Sequence, residues 1–307
     1  MKFHKSIWIL SLVLFLLGCN SEKRYVENAL DIMEEHSINT ETIDWDKVRM
    51  DAHKQVQTAK TTSDSHAIIR ETLRYLRDGH SFLMTEGAYN AMQTVEKSLP
   101  EIESENINNE IGYIKVPAFL GTPKMAKNYA LELQSHIRQL DRANLKGWIV
   151  DLSENSGGNM WPMLLGLAPI LEEGTCGFFT DNKENYNPWR CNNGKVFIGN
   201  NTIMEIENPY LIKNMDKKVA VIIGKATASS GEATAVSFIG KEDTRFFGVE
   251  TAGLTTGNAA FELKDGARLF LTTTIFVDRN KKKYGATIKP DYATFQARKK
   301  AIEWINE

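Results

Sequence analysis

Two adjacent serines, Ser229 and Ser230, lie in a stretch of sequence whose pattern could support nucleophilic catalysis. The run before them, Val219–Ile223, is apolar and β-branched, which is typical of a strand buried on both faces. The alanine-rich segment after them, Glu232–Ile239, favours a helix. A serine at such a strand-to-helix turn can project into a cleft, where the free N–H groups of the helix N-terminus would stabilise an oxyanion. An ordinary serine-rich helix cap gives the same pattern, so these residues alone leave both interpretations open.

A second candidate group is His80, which ends the segment Leu-Arg-Asp-Gly-His. Gly79 is a typical helix terminator, so we expect His80 on a loop just beyond a helix, where its imidazole can act as a general base. A lone histidine in such a place is more often structural than catalytic. The other histidines of this region, His36, His53 and His66, lack metal-ligand spacing, and we expect them at the solvated surface.

The elements that must position these groups alternate between strands and helices. The sequence predicts strands over 111–119 and 148–152, and a helix between them that begins at Thr122-Pro123. A glycine-containing turn over 153–159 then leads into a helix over Met160–Leu171. The same order of strand, turn and helix returns at the paired serines. This alternation predicts an α/β (α+β) core with a largely parallel sheet.

The first residues predict a targeting segment rather than part of the fold. Basic residues precede the apolar run Ile7–Leu17, which is too short for a transmembrane helix and fits a signal peptide over residues 1–18. The run ends Leu-Leu-Gly-Cys, which resembles the lipobox of bacterial lipoproteins and implies cleavage before Cys19 and a lipid thioether on its sulfur. An uncleaved anchor with an incidental cysteine is the alternative. Beyond this segment we expect a helical N-terminal domain over 19–105 and a catalytic core domain over 106–307.

The remaining two cysteines could form one disulfide. If Cys19 is lipidated, only Cys176 and Cys191 are left. Disulfides persist in exported proteins, so this pair could close a short loop. Two free buried thiols are the alternative.

Composition excludes several classes of function. The chain has 307 residues and a formal net charge of −2, and no basic tract suits it to nucleic acid. It contains no Walker motif, no zinc-ligand spacing and no dinucleotide fingerprint. We therefore expect no nucleic-acid partner, no metal and no cofactor.

Six stretches of the chain together resemble one family of enzymes. In the family's order, they are Leu76–His80, Ile111–Phe119, Ile149–Gly158, Thr227–Glu232, Glu250–Gly253 and Ile288–Asp291. With them the chain resembles the C-terminal processing protease and tricorn-core family of serine peptidases. The resemblance implies a crotonase-like or ClpP-like αββ protease core that hydrolyses peptide bonds without a cofactor.

The resemblance also implies roles for single residues. Ser229 occupies the position of the nucleophile, and Ser230 would contribute its backbone N–H to the oxyanion hole. The turn at Gly157 and Gly158 would offer the second donor, because glycine lets the backbone approach the substrate closely. His80 matches the histidine that serves as general base in the tricorn-like branch.

Several positions depart from the pattern of the family. Leu254 stands where the processing proteases carry a lysine base, and Lys225 lies on a strand end that need not face the nucleophile, so the histidine remains the candidate base. The acid that completes the set in the tricorn-like branch has no counterpart. Asp78, Asp278 and Asp291 are the candidates for orienting the imidazole.

Taken together, these patterns predict a lipid-anchored, extracytoplasmic serine peptidase of a bacterial membrane that acts on peptide or protein substrates. Many members of the family carry a PDZ domain, but too little chain separates His80 from Ile111 to hold one, so we expect no PDZ-mediated tethering. The alternative from another class is an inactive lipoprotein that uses the same cleft to bind peptides. An esterase on the same core is a weaker alternative.

Overall fold

A computed structural model of the protein describes residues 6–94, 98–213 and 216–307, and within residues 6–20 it describes only the helical backbone. The predicted lipid attachment at Cys19 therefore lies outside the described side chains. Within the described part of the chain, no helix is both long and apolar enough to cross a membrane.

The helices begin where the sequence provides caps. Thr122 caps one helix by accepting a hydrogen bond from the Met125 amide, and Thr61 forms a capping box with Asp64 at the start of another. In chain order the helices are α1 (Ser6–His36), α2 (Trp45–Val56), α3 (Thr62–Leu73), α4 (Glu86–Thr94), α5 (Pro123–Leu140), α6 (Met160–Leu171), α7 (Ser230–Val236) and α8 (Ala297–Asn306), with 3-10 helices at Thr40–Thr42 and Arg74–Leu76.

The strands fall mostly in the second half of the chain. In chain order they are β1 (Phe82–Met84), β2 (Ser104–Ile107), β3 (Ile111–Lys115), β4 (Gly147–Asp151), β5 (Gly174–Thr180), β6 (Tyr186–Asn192), β7 (Lys195–Ile198), β8 (Asn201–Glu205), β9 (Lys218–Ile223), β10 (Thr244–Gly248), β11 (Thr256–Glu262), β12 (Arg268–Val277) and β13 (Tyr292–Ala293).

The chain divides into two compact units. The first runs to Ala91 and also includes Asn258–Thr273, and the second contains the rest of the chain. The sequence did not predict that Asn258–Thr273 would belong to the first unit. This segment supplies part of β12, which pairs antiparallel with β1 and places Phe82 opposite Phe270.

The first unit is built on the helices expected from the sequence. The apolar faces of α1 and α3 pack with β1 and β12 around residues such as Met33, Ile69 and Leu269, all of which are buried. His66 on α3 is also buried, and its Nε2 lies 2.8 Å from the Asp265 carboxylate. The expectation that this histidine lies at the solvated surface is wrong, because the segment Asn258–Thr273 covers it.

The second unit contains the predicted parallel sheet. Its strand order is β13-β10-β9-β4-β3-β2, and the pairs β3–β4, β4–β9, β9–β10 and β10–β13 are parallel. Helices α5 and α6 pack into the main core with the sheet, where Tyr129, Leu133 and Val150 are fully buried. Because β4 and β9 are adjacent and parallel, with Asp151 opposite Ile222, the turns after both strands lie at one edge of the sheet.

The sequence did not reveal the strands between the two main βα units. β5 to β8 form an antiparallel meander between these units, and β2, which the sequence also did not reveal, precedes the first of them and pairs antiparallel with β3. The disulfide predicted between Cys176 and Cys191 on this meander is not formed. Both are buried free thiols, and their Sγ atoms lie 3.5 Å apart.

Candidate active site

Ser229 lies at the turn between β9 and α7, and its backbone is strained. Its φ is 51° and its ψ is −118°, in a region that a residue with a side chain rarely adopts. Such outliers persist only where surrounding contacts impose them, and they cluster at functional sites. The preceding Thr227 is one such contact, because its buried hydroxyl donates to the Leu152 carbonyl and accepts from the Gly224 amide. The turn is thereby tied to the end of β4.

The side chain of the neighbouring Ser230 makes a different contact. Its side chain is buried, and its Oγ donates a 2.7 Å hydrogen bond to the Gly158 carbonyl oxygen. Ser230 is also the first residue of α7, so its N–H lies among those that no carbonyl of the same helix can accept. The hydroxyl of Ser230 thus connects the two turns, and its amide is available to a ligand.

The turn after β4 approaches this serine turn closely. Gly157 and Gly158 have φ of +102° and +105°, which only glycine adopts without strain. A Cβ on Gly157 would lie 2.9 Å from the Ser229 Cβ and 3.0 Å from the Ser230 amide nitrogen, and one on Gly158 would lie 2.0 Å from the Phe119 carbonyl oxygen. Glycine is therefore required at Gly157 for the two turns to meet, and at Gly158 for the glycine turn to pass the Phe119 carbonyl.

The structure shows which of the predicted backbone N–H groups could donate a hydrogen bond to an oxyanion. The Gly157 N–H donates to the side-chain oxygen of Asn155 at 2.9 Å, so it is not available to a substrate, and this part of the prediction is wrong. The Gly158 residue is exposed, and no acceptor for its N–H is found within the described ranges. Gly158 and Ser230 are therefore the amides that remain for an oxyanion.

Asn155 holds this arrangement together and was not assigned a role from the sequence. It is buried, its carbonyl accepts from the Ala228 amide, and its side-chain amide donates to the Val116 carbonyl. A Cβ on Gly231 would lie only 2.3 Å from the Asn155 carbonyl oxygen, so only glycine fits at this second position of α7. The position of Asn155, two residues before Gly157 in the turn, was the signal in the sequence that could have identified it.

Glu232 is the second residue that sequence reasoning missed. Its fully buried carboxylate accepts hydrogen bonds from the Ser229 amide at 3.0 Å, the Thr251 hydroxyl at 2.5 Å and the Gly253 amide at 2.8 Å. Burial raises the pKa of Glu232, and these hydrogen bonds oppose the rise. The spacing of serine and glutamate, three residues apart, is that of a capping box, which could have identified this contact.

His80 lies on the loop between the 3-10 helix and β1, as predicted. The Asp78 carboxylate accepts hydrogen bonds from the backbone N–H groups of His80 and Ser81 at 2.9 and 2.8 Å, and Asn258 donates to the His80 carbonyl at 2.8 Å. Burial lowers the pKa of His80, and the charge of Asp78 only partly opposes this. The loop is therefore held rigidly, and its imidazole favours the neutral form that a general base needs.

The other residues considered as the general base, or as the acid that orients the imidazole, make different contacts. Lys225 is exposed and Leu254 is partly buried. Asp278 accepts hydrogen bonds from its own loop and from the Tyr284 hydroxyl, and Asp291 accepts one from the Phe246 amide. Among the residues whose side chains are described, no group of histidine, cysteine and carboxylate side chains could hold a metal ion.

Comparison with known proteins identifies the family. A model of peptidase family S41 matches residues 110–294, which contain both glycine and serine turns. The chain belongs to peptidase family S41. The predicted resemblance to C-terminal processing and tricorn-type serine peptidases is therefore confirmed, and so is the predicted α/β protease fold.

Two relatives are similar over nearly the whole chain. The nisin-resistance protein of Lactococcus lactis subsp. lactis is 32% identical over 286 residues, which is 93% of this chain and 87% of that protein. The structure of a lipoprotein from Streptococcus agalactiae is 31% identical with a TM-score of 0.79, and the match covers 93% of this chain and 96% of that one. The photosystem II D1 C-terminal processing protease shares the S41 fold at 13% identity, with a TM-score of 0.62 over 89% of this chain and 93% of that one.

Proposed function

We propose that this S41 protein is a serine peptidase in which Ser229 is the nucleophile and His80 the general base. The observation that carries the proposal is the strained serine turn, which the hydrogen bond from the Ser230 hydroxyl to the Gly158 carbonyl joins to the glycine turn. Strain of this kind exposes a serine hydroxyl at the start of a helix, as nucleophilic catalysis requires.

The reaction would proceed in two halves. The neutral His80 imidazole takes the proton of Ser229 as its Oγ attacks the peptide carbonyl, and the N–H groups of Ser230 and Gly158 stabilise the oxyanion. The protonated imidazole then gives its proton to the leaving amine. Water, activated in turn by the imidazole, hydrolyses the acyl-enzyme and restores the serine.

We propose a nisin-like peptide as substrate and an extracytoplasmic membrane surface as location. The similarity to a nisin-resistance protein over nearly the whole chain supports the substrate, because hydrolysis would inactivate the peptide. Similarity to a streptococcal lipoprotein and the Leu-Leu-Gly-Cys ending at Cys19 support a lipid anchor.

A second candidate is an inactive protein that binds the same peptides. It is favoured by Leu254, which stands where the processing proteases carry a lysine base, because a leucine side chain cannot take a proton.

A fluorophosphonate probe distinguishes the two, since it forms an adduct only with an activated serine. We expect an adduct that mass spectrometry maps to Ser229, and none in the Ser229→Ala variant. The matched Ser230→Ala variant keeps its backbone N–H and should still be labelled at Ser229, but more slowly. An unlabelled wild-type protein that still binds nisin would support the inactive alternative.

A further inference from the structure

The second unit contains a cavity of about 420 Å³ that is bounded by the end of α7, the start of β10 and the segment 282–291 after β12. All of its lining residues belong to this unit, and none of them is part of the serine turn or the glycine turn. Its volume is typical of a small-molecule site, for which about 300–1,000 Å³ is usual. The proposed peptidase function gives this cavity no role.

The floor of the cavity is apolar. Phe238, Phe246 and Ile288 line it, are at most 5% exposed, and belong to the main hydrophobic core. Ile239 and Tyr284 also line it and pack against the same core, but are less deeply buried. A ligand with an apolar body would remove this surface from water, which strengthens binding about fourfold for each buried methylene group.

The backbone of the segment that forms one wall is already hydrogen-bonded. The Gly285 amide donates to the Thr255 hydroxyl at 2.7 Å, and that hydroxyl donates to the Ala286 carbonyl at 2.8 Å. The Ile288 amide donates to the Thr251 hydroxyl at 2.8 Å. A peptide bound along this wall would need such groups as partners for its own backbone. The wall therefore favours a ligand without hydrogen-bonding groups along its length.

The hydroxyl groups of the lining are occupied as well. The Tyr284 hydroxyl donates to the Asp278 carboxylate at 2.9 Å, and the Thr287 hydroxyl donates to the Glu250 carboxylate at 3.3 Å. The Thr244 hydroxyl donates to a backbone carbonyl at 3.2 Å. Of the side-chain donors that line the cavity, the ammonium groups of its lysines are left for a ligand.

The charge of the lining is predominantly positive. Lys282, Lys283 and Lys289 line the cavity together with one carboxylate, that of Asp291. The Asp291 carboxylate accepts a 2.7 Å hydrogen bond from the Phe246 amide, which stabilises its charge. Ammonium groups attract an anion, but the Asp291 carboxylate repels a doubly charged one more strongly. A monoanion therefore suits the cavity best.

The ion pairs that these lysines already make are weak competitors for such an anion. The Lys289 ammonium lies 3.6 Å from the Glu250 carboxylate, and both side chains are more than half exposed. Lys283 pairs with Glu184, which lies outside the lining and has a side chain that is 71% exposed. Across residues 98–213 and 216–307, no ion pair is described for Lys282. Exposed ion pairs contribute little stability, so a ligand anion can replace them.

We propose that this lysine-rimmed cavity binds a medium-chain fatty acid. The alkyl chain lies on the floor formed by Phe238, Phe246 and Ile288, and the carboxylate lies at the ammonium groups of Lys282 and Lys289. Such a ligand combines an apolar body that needs no hydrogen bonds with a single negative charge, which are the two properties that the lining favours. The assignment goes beyond the proposed peptidase function and does not depend on it.

The test uses two photoreactive probes that differ only in the head group. Each carries a diazirine at the end of its chain, and one is derived from decanoic acid and the other from decanol. The full-length protein is labelled in one nonionic detergent, and mass spectrometry maps the sites of attachment. We expect the acid to label the lining residues with an apparent affinity about tenfold higher than that of the alcohol, a preference that falls as salt rises.

Variants connect this preference to the lysines. The double variant Lys282→Gln, Lys289→Gln should bind the acid about tenfold more weakly and lose the preference, whereas the corresponding double arginine variant should keep it. The matched control is Lys124→Gln, Lys127→Gln, which removes two exposed lysines from α5 and should be labelled like the wild type. Unchanged melting temperatures would show that the variants are folded.

Four results would overturn the inference. The first is the absence of any labelled residue in the lining. The second is equal labelling of the lining by acid and alcohol, because the cavity would then select only apolar groups. The third is full retention of the acid preference by the Lys282 and Lys289 double variant. The fourth is a block of acid labelling by inorganic phosphate as effective as that by decanoate, because the site would then bind free anions. None of them affects the labelling of Ser229 by a fluorophosphonate, so the peptidase proposal is tested separately.

Discussion

Replacing Gly157 by alanine tests whether the close approach of the two turns matters for catalysis. The new Cβ would lie 2.8 Å from the Ala228 carbonyl oxygen, 2.9 Å from the Ser229 Cβ and 3.0 Å from the Ser230 nitrogen. Ordinary contact begins at 3.4 Å, so the serine turn must move by about 0.4–0.6 Å. The φ of +102° adds backbone strain of about 1–3 kcal/mol for a residue with a side chain.

The Gly174→Ala variant separates the effect of the close contacts of the new Cβ from the effect of backbone strain. Gly174 also has a positive φ, +125°, but a Cβ there would meet no atom within 4 Å. Both variants should lose about 1–3 kcal/mol of unfolding free energy in urea. Only Gly157→Ala should slow catalysis, by about 10- to 100-fold in kcat, since a displacement of 1 Å can reduce a rate about 100-fold.

The assays are peptide cleavage and the rate of fluorophosphonate labelling, at a temperature where both variants are folded. A labelling rate for Gly157→Ala within twofold of wild type would refute the reasoning. It would mean that the glycine turn does not position the nucleophile, or that the serine turn adjusts without losing function.

The remaining predictions concern four other sites. Activity should rise with pH to a plateau, with a midpoint below about 6.5, because burial lowers the pKa of His80 and only the neutral imidazole accepts a proton; initial rates between about pH 4.5 and 8 measure this. Glu232→Gln should lower the free energy of unfolding by about 1–3 kcal/mol, because its amide nitrogen would face buried donors; urea denaturation measures the change. Cys176 and Cys191 should resist alkylation in the folded protein and react fully once it is denatured without reductant, because both are buried free thiols; mass spectrometry counts the added groups. Cys19→Ala should release the protein from the membrane fraction or stop its maturation, as detergent partitioning would show.

Each of these predictions has a result that would contradict it. Activity that still rises steeply above about pH 7.5 would indicate a base other than His80. An unchanged urea midpoint for the Glu232 variant would mean that its three donors find other acceptors. Complete alkylation of Cys176 and Cys191 in the folded protein would mean that these thiols are accessible to the reagent. Unchanged partitioning after Cys19→Ala, with no mass added at that residue in wild type, would exclude the lipid anchor.

Local patterns in the sequence were sufficient to predict the strands, helices and turns that form the framework of the site. The β-branched runs at β4 and β9, the Thr122-Pro123 helix start and the glycines at 157 and 158 predicted a parallel α/β core with turns at one sheet edge. These features depend on neighbouring residues, whose backbone preferences and periodicity can be read along the chain. The meander β5–β8 escaped detection because its strands are interrupted by polar and glycine residues and become stable only by pairing with each other.

By itself the sequence determined the family, the strand–turn–helix framework and the serine at the turn, because each follows from residue type and spacing over short distances. Only the tertiary structure decided which amides remain free and which polar side chains hold the turns. The Gly157 N–H is satisfied by Asn155, and Glu232 joins the Ser229 turn to Thr251. These contacts connect segments that are distant in the chain, and burial forces each donor to find an acceptor there, so their partners are set by packing rather than by local pattern.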